Sequence, residues 1–377
     1  FKKSLGKKKL FQKKLGQKKA FSKKAWAKKS FFKKSLGKKV YFCLYIMNII
    51  RLFDKKTQKF SYKNKVSKKI VTDPKTLERI KSLKIPPAYT DVIISNNPSS
   101  KIQSIGVDTK KRKQYTYHPL HLETQTKLKF NDLIIFGKKI KRIRKDIYAN
   151  IFRCHSNPKL LYEKDCVISI VLYLIDYCNF RVGNEKYKKL YNSFGVTTLN
   201  SSHFKFNKNH TTIEFIGKKG VVNKNTMSNS NMCVLLKELC NSNDEYLFYY
   251  IDGSNNKYRI TEKHINDFLK NYNDSLTVKM FRTWNSNYML LKELLNLELP
   301  DSPTKAKKNI SIVIKKSADQ MHHTSTVSKK SYMNSEIVDL YLKTPLKFKR
   351  LIENFRKSNG NLPTINRLLN LILTHIQ

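Results

Sequence analysis

Residues 165–184 read DCVISIVLYLIDYCNFRVGN. Val167, Ile168, Ile170, Val171, Leu172, Leu174 and Ile175 leave almost no polar face, which is the pattern of a helix buried on all sides rather than of an amphipathic one. The spacing therefore predicts a core helix over 165–180 that delivers Arg181 at its end. A guanidinium emerging from so apolar a segment must be paired or line a cleft, since burying it alone is costly. The plainer reading is a cation placed by the helix dipole.

Downstream, the alternating runs 203–206, 211–217 and 221–223 are broken by Asn207-Lys-Asn and Gly217-Lys-Lys-Gly. They predict a small antiparallel sheet with Lys218 at the tip of its second turn, where solvent exposure is the ordinary expectation. Thr261 opens a helix whose Ile265, Phe268, Leu269 and Tyr272 form a core stripe. Thr277-Val-Lys-Met-Phe-Arg-Thr-Trp-Asn starts another, running toward Leu294, with Phe281, Trp284 and Tyr288 inward and Arg282 on a different side. In Met321-His-His-Thr-Ser-Thr-Val-Ser-Lys-Lys-Ser-Tyr-Met-Asn, His323 precedes Tyr332 by nine residues. The intervening linker is polar and β-branched, and its folding back brings the two to one site.

Upstream, residues 47–120 alternate short β-type runs (59–62, 91–95, 114–117) with turn-rich pieces, and carry one or two helices, one of them near 74–84. In a strand, Lys113, Tyr115 and Tyr117 share a face suited to phosphates and base edges together. The fold class is α+β: a small β-rich amino-terminal domain over 47–120, then a mainly helical domain over 121–377 with a small antiparallel sheet.

Residues 1–46 are set apart. Their first forty are four decamers of one pattern, beginning FKKSLGKKKL, with 17 Lys and no acidic residue before Met47. The expectation is either translated sequence upstream of a true start at Met47 or a polycationic arm that adds affinity for polyanions. Taking those 17 charges from the formal +49 still leaves +32, so nucleic acid is the expected partner of the remainder.

The 377 residues, 40% hydrophobic, suffice for a sizeable core. The longest apolar stretch, 40–50, is too short to span a bilayer, so neither membrane insertion nor secretion is expected. The six cysteines show no CxxC pair and no zinc-ligand spacing, and are read as reduced intracellular thiols forming no disulfide. A Walker-type glycine loop and a paired-carboxylate metal site are both missing, so no cofactor and no metal are expected.

Taken singly these signals are weak. The ordered set Arg181, Lys218, Arg282, His323 and Tyr332, each inside a longer string, resembles the catalytic pentad of type IB DNA topoisomerases, most nearly their viral and bacterial branch. The likeness runs from about Ile85 to Tyr341. It includes Ile85-Pro-Pro-Ala-Tyr-Thr-Asp-Val, the run from Gly106 to Pro119, Lys129-Phe, Phe136-Gly, Ile143-Arg-Lys-Asp and Phe194-Gly-Val-Thr-Thr-Leu.

The resemblance implies a catalytic fold shared with tyrosine recombinases and a clamp around duplex DNA. The amino-terminal jaw would place Arg112, Tyr115 and Tyr117 at that duplex, and Lys186, Tyr187 and Lys279 would meet DNA from the catalytic domain. It implies a single-copy enzyme acting wherever its DNA lies: a viral factory or virion, or else a nucleus or nucleoid. Tyr332 would attack a phosphodiester, leaving a 3′-phosphotyrosyl link whose reversal religates the strand, so ATP is not needed.

Arg181, Arg282 and His323 would hold the non-bridging oxygens, and Lys218 would give the leaving 5′-oxygen its proton. A tyrosine of ordinary pKa about 10 is a poor nucleophile, and two guanidiniums nearby would lower that value.

A tyrosine recombinase is the nearest alternative, but recombinases carry a His three positions before the second arginine, where this chain has Lys279. An inactive basic DNA-packaging protein is the other. Two positions depart from the pattern: Met280, where an acid is frequent, and His322, where a Gly commonly precedes the catalytic His.

Overall fold

The computed structural model describes residues 47–242, 244–357 and 365–376, so the leader expected over 1–46 lies outside the described residues. The chain divides into two compact units after Thr126.

The first unit holds strands β1 (Ile49–Asp54) and β2 (Lys59–Asn64), helix α1 (Pro74–Ser82), and strands β3 (Thr90–Ile94), β4 (Ile102–Val107) and β5 (Lys113–Tyr117). They form one antiparallel sheet in the order β2-β1-β3-β4-β5. Asp73 caps α1 by accepting from the Thr76 amide at 2.9 Å, with Pro74 preset for the first turn. Ile49, Ile80, Val92 and Ile94 make the small core.

The Ile85–Tyr89 segment keeps its shape because Arg51 donates to the carbonyls of Pro86 (3.1 Å), Pro87 (3.3 Å) and Tyr89 (2.5 Å). Strand β4 is unmarked by alternation because Gln103 and Ser104 are buried in it. Gln103 donates to the carbonyls of Pro98 and Ser100, and Ser104 to the Thr116 hydroxyl, so both polar groups are satisfied inside.

Helix α2 (Pro119–Ser156) crosses into the second unit. There Phe130, Leu133, Phe136, Ile140, Ile143, Ile147 and Ile151 recur at helical spacing on the buried face. Helix α3 (Lys164–Tyr177) is the predicted core helix, buried without interruption from Cys166 to Ile175.

After α4 (Glu185–Tyr191) come β6 (Phe204–Phe206), β7 (Thr211–Ile216) and β8 (Val222–Met227), paired antiparallel in that order. Strand β8 outruns the expected 221–223 because cross-strand pairs continue it. Lys224 meets Glu214 at 3.0 Å and the Thr226 hydroxyl lies 2.9 Å from that of Thr212.

Helix α5 (Ser230–Cys240) and the hairpin of β9 (Tyr249–Ile251) and β10 (Lys257–Arg259) lead to α6 (Glu262–Lys270) and α7 (Lys279–Leu295). Then follow α8 (Pro303–Gln320), α9 (Ser325–Ser331), α10 (Ser335–Lys343), α11 (Pro345–Lys357) and α12 (Ile365–His375).

Two expectations are corrected. The linker between His323 and Tyr332 is a helix, α9, because Thr324 accepts from the Val327 amide as its N-cap and so converts a polar, β-branched run into a helical start. The cysteines are also not all free. Cys154 at the end of α2 and Cys166 near the start of α3 are fully buried, 6.2 Å apart at Cα, and disulfide-bonded. The short turn at Pro158–Leu160 brings them together, which a separation of 12 residues does not reveal in the sequence.

Candidate active site

Arg181 follows α3 in a loop held from outside. Val196 donates to the Arg181 carbonyl at 2.8 Å, and the amide and hydroxyl of Thr197 both donate to the Val182 carbonyl, at 2.7 and 2.8 Å. The two backbones approach so closely that a Cβ on Gly195 would lie 2.5 Å from the Gly183 nitrogen and 2.6 Å from the Arg181 oxygen. Gly183 itself has φ +102°, open to glycine alone without strain. The Phe194-Gly-Val-Thr-Thr string is therefore the clasp that aims Arg181.

Arg282 sits on α7 with only 4% of its surface exposed. One terminal nitrogen donates to the Met321 carbonyl at 2.6 Å and lies 3.3 Å from His323 Nδ1. Its Nε and its other terminal nitrogen are buried with no partner. Burial, together with the like charge of Arg181, pushes its pKa down to about 10, against the opposing pull of Tyr332. A buried guanidinium beside a second arginine, with two nitrogens unsatisfied, is stable only if an anion joins it.

The guanidinium lies 5.4 Å from the centroid of the Tyr332 ring. Burial favours the neutral phenol, but the charges of Arg282 and Arg181 outweigh it and hold the hydroxyl below its ordinary pKa. His323 stacks on the same ring, 4.8 Å between centroids and 11° between planes. Burial, then Arg282 and Arg181, hold the His323 pKa down at about 3, so the ring is neutral at physiological pH. Because a guanidinium only donates, Nδ1 must accept, and the single ring proton is on Nε2. Nε2 is buried and unpartnered, a donor waiting for an acceptor.

The nucleophile candidate is fixed through its backbone as well. Asn287, fully buried on α7, donates to the Tyr332 carbonyl at 2.9 Å and accepts from the Asn334 amide at 2.7 Å. Lys129 on α2 donates to the Ser331 carbonyl at 2.5 Å.

Behind them, Arg144 forms a two-point ion pair with Asp176 (2.7 and 2.9 Å). Asn285 donates to the Asp176 carbonyl at 2.8 Å and to Asn179 at 2.9 Å. That network braces the helix bearing Arg282 against the segment leading to Arg181. Sequence reasoning passed over Asn287, Asn285 and Asp176. The only local signal was their closeness in the chain to Arg282 and Arg181.

His322 has φ 52°, the left-handed region that explains why glycine is frequent at this position. Its Nε2 lies 3.2 Å from the Cys178 carbonyl, tying the start of the His323 segment to the end of α3. Met280 packs partly buried against the core.

Thus Arg181, Arg282, His323 and Tyr332 are brought to one site. Lys218 stands apart: it is exposed at the β7–β8 tip, and no hydrogen bond joins it to the other four.

The DNA-contact candidates are mostly at the surface. Arg112 pairs with Asp108 at 2.7 Å, and this arginine is the first cause holding the Asp108 carboxyl far below its usual range. Tyr115 is exposed and stacks on Tyr117 at 6.3 Å. Lys186 is exposed, Tyr187 stacks on Tyr191 at 5.9 Å, and Lys279 pairs with Glu262 at 3.0 Å. Among the described residues no cluster of metal-ligating side chains occurs, and no helix is long and apolar enough to cross a membrane.

Known proteins match the chain over most of its length. Residues 110–358 match the family described as eukaryotic DNA topoisomerase I, catalytic core, and residues 59–108 match the bacterial DNA topoisomerase IB, N-terminal domain. The chain is 34% identical over 300 residues to the DNA topoisomerase 1B of Acanthamoeba polyphaga mimivirus, covering 78% of this chain and 87% of that one. It is 24% identical over 313 residues to the DNA topoisomerase 1B of Vaccinia virus (strain Copenhagen), covering 81% and 91%. A shorter match, 27% over 131 residues, is to the DNA topoisomerase 1 of Drosophila melanogaster, covering 33% and 13%.

Proposed function

This chain belongs to the type IB DNA topoisomerases, and from that premise we propose that Tyr332 is the nucleophile that opens one DNA strand, with Arg181, Lys218, Arg282 and His323 as its partners. The observation that carries the assignment is the pair of unsatisfied, buried nitrogens on Arg282 beside the Tyr332 ring. The scissile phosphate is the anion that completes them.

In the forward step the Tyr332 hydroxyl gives its proton to solvent, and its oxygen forms a bond to phosphorus while the bond to the 5′-oxygen breaks. Arg181 and Arg282 hold the non-bridging oxygens as charge accumulates, and the Nε2 proton of His323 adds a neutral donor. Lys218 delivers the proton that the leaving oxygen needs. Its exposed place on the β7–β8 turn fits a group that reaches the duplex rather than one built into the pocket. Religation is the same path in reverse, and because the phosphodiester energy stays in the tyrosyl link, ATP is not consumed.

Residues 47–120 are proposed to act as a DNA-contacting domain through Arg112, Tyr115 and Tyr117, and residues 121–377 as the catalytic domain, with further DNA contacts from Lys186, Tyr187 and Lys279. The enzyme is proposed to act as a monomer, in a viral factory or virion if its source is a virus and otherwise in the nucleus or nucleoid.

Relaxation of a supercoiled plasmid without ATP and with EDTA tests the reading. The wild-type chain should relax it and leave protein on the 3′ end of a nicked strand when trapped with detergent. Tyr332→Phe should bind DNA and do neither, and relaxation that survives this substitution would sink the assignment.

A further inference from the structure

Lys129 has a place that the proposed chemistry does not use. It lies on α2, its Nζ donates to the Ser331 carbonyl at 2.5 Å, and the same Nζ lies 5.9 Å from the Tyr332 ring centroid and 5.1 Å from that of Phe130. No acidic side chain pairs with it among the described residues. Ser331 is the last residue of α9, so its carbonyl is among those that a helix leaves without an internal partner. A lysine is well suited to complete such a terminus. This one comes from a helix about 200 residues earlier in the chain and reaches the peptide adjoining the nucleophile.

We propose that Lys129 is a positioning residue for the nucleophile. It locks the Ser331–Tyr332 peptide at the end of α9 and adds a third positive charge near the tyrosine ring. The proposal rests on Tyr332 being the nucleophile.

Two physical consequences follow. Asn287 holds the carbonyl of Tyr332 and Lys129 that of Ser331, so the backbone is gripped on both sides of the Tyr332 Cα, and the ring direction is set before any substrate arrives. Such preorganisation matters because a misplacement of about 1 Å at a reacting atom costs up to about a hundredfold in rate. The ammonium also favours the phenolate. The coupling runs both ways: burial pushes the Lys129 pKa down, and Tyr332 pulls it back up. A lysine placed only to touch phosphate would have neither the backbone acceptor nor the ring.

Single-turnover cleavage of an end-labelled duplex, with the full chain in excess and from about pH 6 to about 9, tests the role. The proteins are wild type, Lys129→Met, Lys129→Arg and Tyr332→Phe, with duplex affinity measured at several salt concentrations. Lys129→Met should cleave on the order of tenfold or more slowly at neutral pH, with its rate rising at higher pH than wild type. Its affinity and salt dependence should be unchanged, and Lys129→Arg should recover most of the rate.

Wild-type cleavage by Lys129→Met would overturn the proposal. So would a rate loss that follows weaker binding with a salt slope shallower by about one, the mark of a lost phosphate contact. A variant whose melting temperature falls while its pH profile is unmoved would reduce the residue to a structural cap, and also overturn it. A dead Tyr332→Phe beside an unimpaired Lys129→Met removes the Lys129 role alone. Cleavage by Tyr332→Phe removes the nucleophile assignment beneath it.

Discussion

The imidazole of His323 lies flat on the ring of Tyr332, 4.8 Å between centroids and 11° from parallel, while its Nδ1 faces the Arg282 guanidinium at 3.3 Å. Through this contact one arginine touches both the proposed nucleophile and the group that would assist it. Burial, reinforced by the arginine's charge, keeps the histidine neutral, and the same charge favours the ionised tyrosine.

The pH dependence of cleavage should show both effects. With its pKa near 3, His323 is neutral throughout the usable range, so the rate should show no imidazole step near its ordinary value of about 6.5. The Tyr332 hydroxyl is held below its ordinary pKa, so the rate should rise with pH and level off below about 10. Arg181→Ala removes one lowering charge, and its residual rise should move to higher pH. His323→Gln, whose amide nitrogen stands where Nε2 does, should retain on the order of tenfold more activity than His323→Ala.

His322 separates backbone strain from a hydrogen bond. His322→Gly relieves the left-handed φ of 52° but loses the contact to the Cys178 carbonyl. Each effect is worth about 1 kcal/mol, so the stability change should be small. His322→Ala loses the contact and keeps the strain, and should be the less stable by about 1 kcal/mol in urea denaturation.

At Gly195 a methyl group has nowhere to go, because the atoms it would meet are the backbone nitrogen of Gly183 and the carbonyl oxygen of Arg181. Gly195→Ala should destabilise by about 1–3 kcal/mol and displace Arg181, lowering cleavage more than DNA affinity. Gly253→Ala, with no atom within 4 Å of the added carbon, is the control expected to change neither.

The Cys154–Cys166 bridge closes a loop of 12 residues' separation, for which the chain-entropy model gives about 3 kcal/mol. Dithiothreitol should lower the urea midpoint of wild type. The Cys154→Ala/Cys166→Ala double variant should start lower and be insensitive to reductant.

Much of the scaffold was legible because local rules coincide with the global fold. The stretch 166–175 is apolar on nearly every face and forms the buried middle of α3, which ends at Tyr177 and not at 180, and Asn207-Lys-Asn and Gly217-Lys-Lys-Gly are turn chemistry that shapes β6 to β8. Strand β4 escaped because its inward Gln103 and Ser104 break alternation, and their hydrogen bonds are supplied by distant residues. Helix α9 escaped because seven residues rich in Ser and Lys carry little periodicity, and Thr324 decides their state through one cap.

By itself the sequence determined the order and identity of the five candidate groups, the apolar helix that presents the first of them, and the basic charge that draws the chain to DNA. The tertiary structure decided the electrostatic state of Arg282, His323 and Tyr332. That Arg282 is buried with two idle nitrogens, that His323 is neutral with its proton on Nε2, and that Lys129 and Asn287 hold the peptides around Tyr332 all depend on contacts spanning about 40 to 200 residues of chain. A pKa or a buried polar contact is set by what lies within a few ångströms, and separation along the chain carries no record of that.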